Sequence, residues 1–159
     1  MTLTKEEFIR QVEENRGAMY RVTCAYLRQE HDRLDAVQEA LLKAWQGLPW
    51  LREAAYFRTW LIRILIRECV NIQRRQKRVI PTESVPEPPR EENSADPALR
   101  EAILALPESM RIVVVLFYME GYPVEDISRI LKLPKGTVCS RLARAREKIK
   151  QAMKEEAEC

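Results

Sequence analysis

Basic residues crowd into the stretch 129–150, which holds eight Lys or Arg side chains and a single acid, Glu147. Arginine suits the recognition of a polyanion, because its planar guanidinium can bind a guanine edge or a phosphate through two parallel hydrogen bonds. On a helix, four apolar side chains of this stretch share one face: Val138, Leu142, Ala145 and Ile149. The other faces carry hydroxyl and basic groups: Thr137, Ser140, Arg141, Arg144 and Lys148. The pattern predicts a helix that packs by one side and presents charge on the other.

The segment before this helix favours a particular helix pair. "PVEDISRILK" places its apolar residues on one helical face: Val124, Ile127, Ile130 and Leu131. A short turn, "LPKG", then leads to the basic helix, which makes a helix-turn-helix. In that motif the second helix enters the major groove of DNA. A solvated basic surface on a bundle helix is the competing interpretation, but the spacing, with Gly136 in the turn, favours DNA binding.

A second group with binding chemistry lies in "YFRTWLIRI", residues 56–64. Tyr56, Phe57 and Trp60 lie close together, with Arg58 and Arg63 beside them. Aromatic rings can stack on unpaired bases while neighbouring cations follow the phosphates of a single strand. The alternative is that Phe57 and Trp60 are core residues.

A third group is acidic. Asp35, Gln38 and Glu39 lie at i, i+3 and i+4, on one helical face beside Leu42 and Trp45. Such a polar cluster on an amphipathic helix suits docking of a polar partner surface. From the residues alone, ordinary solvated charge is the simpler interpretation.

Helices on both sides of a linker position these groups. The segment 79–97 carries five prolines and several acids, and it predicts an extended, charged linker. Before it, apolar residues recur at helical spacing in three stretches: Phe8, Val12, Met19, Val22 and Tyr26; Leu34, Val37, Leu41, Leu42 and Trp45, ended by Gly47 and Pro49; and Leu61, Ile64, Leu65 and Ile72, on a helix from about 57 to 75.

After the linker, Pro107 fits the first turn of a helix that Gly121 ends. The run "IVVVLFYM" within it is also compatible with a buried strand, and the lack of any partner strand pattern favours a helix. The predicted fold class is therefore all-α, with two small helical domains at 8–78 and 98–152 joined by the flexible linker 79–97.

Composition argues against several kinds of protein. The four cysteines form no C-x-x-C pair and the single histidine has no cysteine nearby, so neither a zinc site nor a disulfide framework is expected. We expect the cysteines to be small buried residues. No phosphate loop, metal cluster or nucleophile–base arrangement is present, which predicts no cofactor, no metal and no catalysis. The apolar runs are too short to span a membrane and no signal peptide opens the chain, so we expect a cytoplasmic protein.

The second half of the chain resembles region 4 of bacterial sigma factors. The resemblance rests on Leu106-Pro107, Arg111, Glu120-Gly121, Ile127, Leu131, Gly136-Thr137-Val138, Ser140-Arg141-Leu142 and Arg144-Ala145-Arg146. It implies binding to the −35 promoter element by the residues Lys135, Thr137, Ser140, Arg141, Arg144 and Lys148. The family usually has a basic or polar residue where this chain has Cys139, which implies that one phosphate or base contact is missing.

The first half resembles sigma region 2. "DAVQEALLKAW" is similar to region 2.2, which implies docking of Asp35, Gln38, Glu39 and Leu42 on the β′ clamp helices of RNA polymerase. "YFRTWLIRI" resembles regions 2.3 and 2.4, and the loop 50–56 matches the one that captures a flipped-out base in the family. The implied contacts to the −10 element are Tyr56, Phe57, Arg58, Trp60, Arg63, Arg67, Asn71 and Arg74. Since the family commonly has Asn and Asp where this chain has Arg67 and Asn71, an unusual −10 preference is expected.

The resemblance covers nearly the whole chain and implies a factor of the small extracytoplasmic-function group. Implied partners are core RNA polymerase, through the β′ clamp helices and the β flap, promoter DNA, and an anti-sigma factor; no small-molecule substrate is implied. A stand-alone helix-turn-helix regulator is the alternative, although it needs no platform for single-stranded DNA. A recombinase or resolvase would need a catalytic domain of α/β type, of which residues 1–78 offer no sign.

Overall fold

We describe the protein from a computed structural model, which covers residues 3–78 and 96–158. The chain forms two compact units, Met1–Pro89 and Arg90–Cys159. The described residues form helices and turns without a strand, so the all-α prediction is confirmed. Most of the predicted linker lies outside the described residues. Its last residue, Pro97, is the first residue of a helix and not part of a linker.

The first unit begins with two short helices, α1 (Lys5–Glu14) and α2 (Arg16–Tyr26). The apolar spacing from Phe8 to Tyr26 is therefore divided between two helices. Asn15 is the dividing residue: it is buried, and both its backbone N–H and its side-chain amide donate to the carbonyl of Gln11, at 3.1 and 2.8 Å. A side chain that competes for a backbone acceptor in this way favours the end of a helix.

Thr4 begins α1 through a reciprocal cap. Its Oγ1 accepts from the Glu7 N–H at 3.2 Å, and Glu7 Oε2 accepts from the Thr4 N–H at 3.0 Å. We expect Thr4→Ala to lower the free energy of unfolding of this unit by about 1 kcal/mol, because a helix N–H loses its partner. The urea midpoint of the full chain, followed by Trp fluorescence, measures this. Lys5→Ala, which removes no cap, should leave the midpoint unchanged; equal effects of both changes would contradict the prediction.

Two longer helices, α3 (Glu30–Gly47) and α4 (Phe57–Lys77), form the body of the first unit. Short 3-10 turns at Leu48–Trp50 and Ala54–Tyr56 connect them, so Gly47 ends α3 as predicted. The inward face of α4 carries large apolar residues that are completely buried: Phe57, Leu61, Ile62, Leu65 and Cys69. Ile72 is buried too, whereas Ile64 is only half-buried.

Small residues form the inward face of α3. Ala36, Ala40 and Ala44 are fully buried, at i, i+4 and i+8. In the predicted apolar stripe, Leu34 and Leu42 are 56% and 50% exposed, whereas Val37 and Leu41 are half-buried. The small alanine side chains leave room for the large side chains of α4.

The described residues of the second unit form four α-helices: α5 (Pro97–Leu104), α6 (Glu108–Val114), α7 (Val124–Leu131) and α8 (Lys135–Glu158). Asp96 caps α5, accepting from the backbone N–H of Ala98 at 3.0 Å. The run predicted as helix and not strand is helical, since α6 continues as one π-helical turn over Val115–Met119. Gly121 follows with φ of 74°, and Tyr122 donates its N–H to the Leu116 carbonyl.

The core of the second unit forms where α8 packs against the shorter helices. Ile103 of α5, Val114 of α6 and Ala145 of α8 meet in one buried cluster, with Met110 and Ile149 packed at its edge. Nearer the start of α8, two more apolar residues are buried: Val138 and Leu142. The apolar face predicted for this helix is thus its packed face, with Ile149 partly exposed.

The cysteines do not behave alike. Cys69 is buried and Cys24 is half-buried, but Cys139 is exposed on α8, so the prediction that it packs as a small core residue is wrong. Its position lies on a face of α8 that Val138 and Leu142 leave to solvent. Cys159 lies outside the described residues. Within the described part of the chain, no helix combines the length and apolar character needed to cross a membrane.

Candidate functional site

The outer face of α3 presents the acidic cluster to solvent. Asp35, Gln38 and Glu39 are all exposed, and none of them has a hydrogen bond or ion pair to another described residue. Leu34 and Leu42, both at least half exposed, lie on the same side. Exposed carboxylates flanked by leucines can take a partner with basic groups and an apolar patch, a combination typical of protein interfaces.

An open groove of about 620 Å³ runs between α3 and α4. One wall is the acidic cluster. The opposite wall is basic and amide-bearing, and its residues are Asn71, Arg74, Arg75 and Arg78. At the floor, Lys43 Nζ contacts Glu68 Oε1 at 2.5 Å. Sequence analysis did not pair Lys43 with Glu68, because 25 positions separate them and only the packing of α3 on α4 brings them together.

Phe57 belongs to the core. Its ring is completely buried and packs edge-on against Phe8 with 5.6 Å between centroids. A ring without exposed surface cannot stack on a base, so the prediction that Phe57 contacts DNA is wrong and its interpretation as a core residue is right. Core packing and base stacking call for the same residue type, which is why the sequence pattern alone left both open.

Trp60 has an intermediate position. Its ring is half-buried, and its centroid lies 6.0 Å from that of Phe57. The ring also covers the backbone of Gly47, so closely that a Cβ added to this glycine would lie 3.3 Å from the ring of Trp60. Tyr56 and Trp50, in the connection between α3 and α4, are 61% and 78% exposed. The aromatic surface available to a ligand is therefore centred on this connection, with Trp60 at its edge.

Arginines extend this surface along α4. Arg63, Arg67 and Arg74 are exposed, while Arg58 and Asn71 are half-buried. The exposed three point away from the apolar residues that α4 buries against α2 and α3. Cations beside exposed aromatics match the requirements of a single-stranded nucleic acid, whose bases stack and whose phosphates pair with guanidinium groups.

In the second unit, α7 and α8 are joined by a tight turn. Lys132 adopts the left-handed conformation with φ of 55°, and the Leu133 N–H donates to the Ser128 carbonyl at 3.0 Å. Ile127 and Ile130 of α7 are buried beside the packed face of α8. This is the geometry of the predicted helix-turn-helix, although Gly136, predicted in the turn, is the second residue of α8, and Lys132 takes the left-handed position of the turn.

The predicted contact residues of α8 divide by exposure. Ser140, Arg144 and Lys148 are exposed, and Thr137 and Arg141 are half-buried. Since Thr137, Arg141, Arg144 and Lys148 lie at i, i+4, i+7 and i+11, they form one stripe along the helix.

Two further basic residues of α8, Lys135 and Arg146, contact side chains of other helices or turns. Lys135 is exposed but its Nζ lies 3.3 Å from the Glu125 carboxylate. Arg146, outside the stripe, donates to the hydroxyl of Tyr118 at 3.1 Å. Arg141, Arg144 and Lys148 have no ion pair to another described residue, so their charges are available to an external anion.

Family comparisons identify both units. A model described as Sigma-70 region 2 matches residues 11–79, and one described as Sigma-70, region 4 matches residues 97–149. The ECF RNA polymerase sigma factor SigM of Mycobacterium tuberculosis is 34% identical over 137 residues, covering 82% of this chain and 69% of that protein. The chain belongs to the extracytoplasmic-function group of the sigma-70 family. The exposed surfaces just described are therefore those of a sigma factor.

A second relative supports this identification, and a solved structure shows the same fold. The RNA polymerase sigma factor SigV of Bacillus subtilis is 29% identical over 146 residues, covering 89% of this sigma factor and 88% of the relative. Among solved structures, the sigma factor RpoE of Bartonella quintana, determined in complex with the anti-sigma factor NepR, has a TM-score of 0.78 at 24% identity and covers 94% of this chain and 98% of that one.

As a sigma factor, the protein binds core RNA polymerase and directs it to promoter DNA in transcription initiation. The stand-alone regulator is not supported, because the matches include region 2 as well as the helix-turn-helix. The sigma-70 family, to which this chain belongs, consists of transcription initiation factors. In the described part of the chain no three His, Cys, Asp or Glu side chains are grouped to hold a metal ion.

Proposed function

We propose that the three exposed surfaces divide the work of the sigma factor. The outer face of α3 docks on the β′ clamp helices, the α3–α4 connection and α4 bind the −10 element, and α8 binds the −35 element. The observation that carries this proposal is the exposure, within one unit, of an unpaired acidic cluster on α3, of aromatic rings in the α3–α4 connection and of arginines on α4. Opposite charges on neighbouring helices suit two different partners, a basic protein surface and a nucleic acid.

For the −10 element, the proposal assigns base stacking to Tyr56 and Trp50 and phosphate contacts to Arg63 and Arg74. Exposed aromatic rings can stack on any base. Extraction of a base from the duplex costs a few kcal/mol of stacking free energy, and contacts in the pocket that receives the base must offset this cost. The half-buried Trp60 forms the edge of that surface.

For the −35 element, the stripe Thr137, Arg141, Arg144 and Lys148 enters the major groove, with Ser140 beside it. Arginine forks supply base or phosphate contacts, and hydroxyls supply short-range hydrogen bonds. Lys135 reaches DNA only by leaving Glu125, an exposed ion pair worth less than about 1 kcal/mol. We also propose that the same unit contacts the β flap, as the family resemblance implies.

Run-off transcription tests the assignment as a whole. Core polymerase, a cognate promoter template and this protein should give a specific transcript that core alone does not give. We propose that the chain adds no catalysis of its own and works in the cytoplasm beside the polymerase. In a single round of initiation, the amount of transcript should therefore rise until this protein and core are equimolar; full single-round transcription at a much lower amount of this protein would contradict this.

Arg67 is proposed to set the preference at one position of the −10 element. It is exposed on α4, seven residues after Trp60 and four before Asn71. A bidentate contact to guanine discriminates by about 1–3 kcal/mol, roughly five- to 150-fold between bases. We expect Arg67→Asn to change the base preference in transcription from a randomised −10 library.

Arg63→Asn is the matched control for Arg67, since it removes the same charge from the same helix. A uniform loss across the library in both variants would assign Arg67 to phosphate, which all sequences share. Unchanged transcription with Arg67→Asn would remove the residue from the interface altogether.

We further propose that an anti-sigma factor holds this protein inactive. Support comes from a solved structure of similar fold, in which the sigma factor RpoE is bound by the anti-sigma factor NepR. A second structure of similar fold, CnrH, was determined in complex with the cytosolic domain of CnrY. A binding protein copurified with this chain should abolish the run-off transcript when it is added before core polymerase, and should have less effect when added after the holoenzyme has formed.

A further inference from the structure

The ion pair at the floor of the groove draws a lysine away from its nearest acidic neighbour on α3. Lys43 lies four residues after Glu39, the spacing and order in which glutamate and lysine commonly pair on a helix surface. In this structure Lys43 Nζ instead meets Glu68 Oε1 of α4 at 2.5 Å. Glu39 is left without a hydrogen bond or ion pair to any described residue.

Burial of Glu68 explains why Lys43 pairs with it and not with Glu39. The side chain of Glu68 is 4% exposed, whereas that of Lys43 is 46% exposed and Glu39 is open to solvent. A buried carboxylate without a partner costs several kcal/mol, so it holds the nearest cation strongly. An exposed pair on one helix contributes only about 0.3–0.5 kcal/mol. The Lys43 ammonium is therefore held at the floor of the groove by Glu68, while Glu39 on the wall of the groove has no ion pair.

We propose that Glu68 is a positioning residue for polymerase binding, which it promotes by sequestering Lys43 from Glu39. The inference rests on the proposed docking role of the acidic cluster. A partner that binds Asp35 and Glu39 must itself be basic at the contact. With Lys43 released, its ammonium neutralises Glu39 and also repels the incoming basic surface. Glu68 touches neither partner and acts only through the lysine.

Removing the charge of Glu68 while keeping its shape tests this. We expect Glu68→Gln to weaken the affinity of the full chain for core polymerase about fivefold, mainly through slower association, because charges at the rim of an interface act chiefly on the association rate. The double variant Lys43→Gln/Glu68→Gln should return to near the wild-type association rate, since no free lysine remains. Binding is measured by surface-immobilised core polymerase at several salt concentrations.

A merely structural role of Glu68 predicts another pattern: the double variant would bind as weakly as Glu68→Gln, or more weakly. That outcome overturns the proposal, as does wild-type affinity of Glu68→Gln itself. Should Glu68→Gln fold poorly, the apolar pair Lys43→Met/Glu68→Leu replaces it, because a buried ion pair can often be exchanged for apolar side chains without loss of stability. Wild-type binding by that variant supports the proposal, and weakened binding contradicts it.

Glu39→Gln separates this proposal from the one on which it rests. If Glu39→Gln binds core as the wild type does, the docking role of Glu39 fails and with it any effect of Lys43 on that residue. If Glu39→Gln weakens binding while Glu68→Gln does not, the docking role stands and only the positioning role of Glu68 is rejected.

Discussion

Replacing Glu39 by lysine is expected to reduce the affinity of the protein for core RNA polymerase by a factor of roughly thirty or more. Loss of one partner from a close charge pair at an interface costs about 2–5 kcal/mol, and the new lysine adds repulsion against a basic partner surface. The fold should tolerate the change, because Glu39 is exposed and has no hydrogen bond or ion pair to another described residue.

The measurement is equilibrium binding to core polymerase, with the unfolding midpoint as the check on stability. Glu155→Lys supplies the control, since it reverses the same charge on an exposed residue of α8 in the other unit. Copurification of Glu39→Lys with core at the wild-type yield would remove Glu39 from the docking surface. An equal loss in both variants would indicate that net charge, and not position, governs binding.

The double change Arg141→Ala/Arg144→Ala should weaken binding of the second unit to a −35 duplex at least tenfold. These two arginines have no ion pair to another described residue and lie on one stripe of α8. Each lost phosphate contact should lower the slope of log affinity against log salt by about one unit. A lost base contact would instead reduce discrimination among −35 sequences, by about 1–3 kcal/mol for a bidentate pair.

Residues 90–159 are first checked for helical structure by circular dichroism and are then titrated with labelled duplex at three salt concentrations. Lys150→Ala/Lys154→Ala is the matched control, because it removes two positive charges from exposed positions further along the same helix. If both double variants lose affinity and slope equally, α8 attracts DNA by net charge alone. If neither changes, the basic face of α8 is only solvated.

Much of the fold was predictable from helical spacing. The inward face of α8, the end of α3 at Gly47 and the helical state of "IVVVLFYM" each follow from where apolar residues, Gly and Pro occur. The division between α1 and α2 was not predictable in this way, because it depends on the buried side chain of Asn15 and its bonds to Gln11. Local hydrogen bonds of this kind leave no periodic trace.

In the candidate site, too, features set by neighbouring residues were predictable and features set by contacts between distant residues were not. Exposure of Arg67, Arg74 and Arg144 follows from helical phase. The burial of Phe57 does not, since an aromatic residue at the start of α4 suits either the core or a base. The meeting of Lys43 with Glu68 depends on how two helices pack, which single-chain spacing cannot specify.

The three alanines on the inner face of α3 have a consequence for the two partners of this unit. The alanines bring the backbone of α3 against the large buried side chains of α4. The distance between the proposed polymerase surface on α3 and the proposed DNA surface on α4 is then set by these buried contacts and not by any exposed side chain. Substitution of surface residues on either helix can change the strength or the base preference of binding while that distance stays constant. The first unit therefore acts as a rigid spacer between the two surfaces.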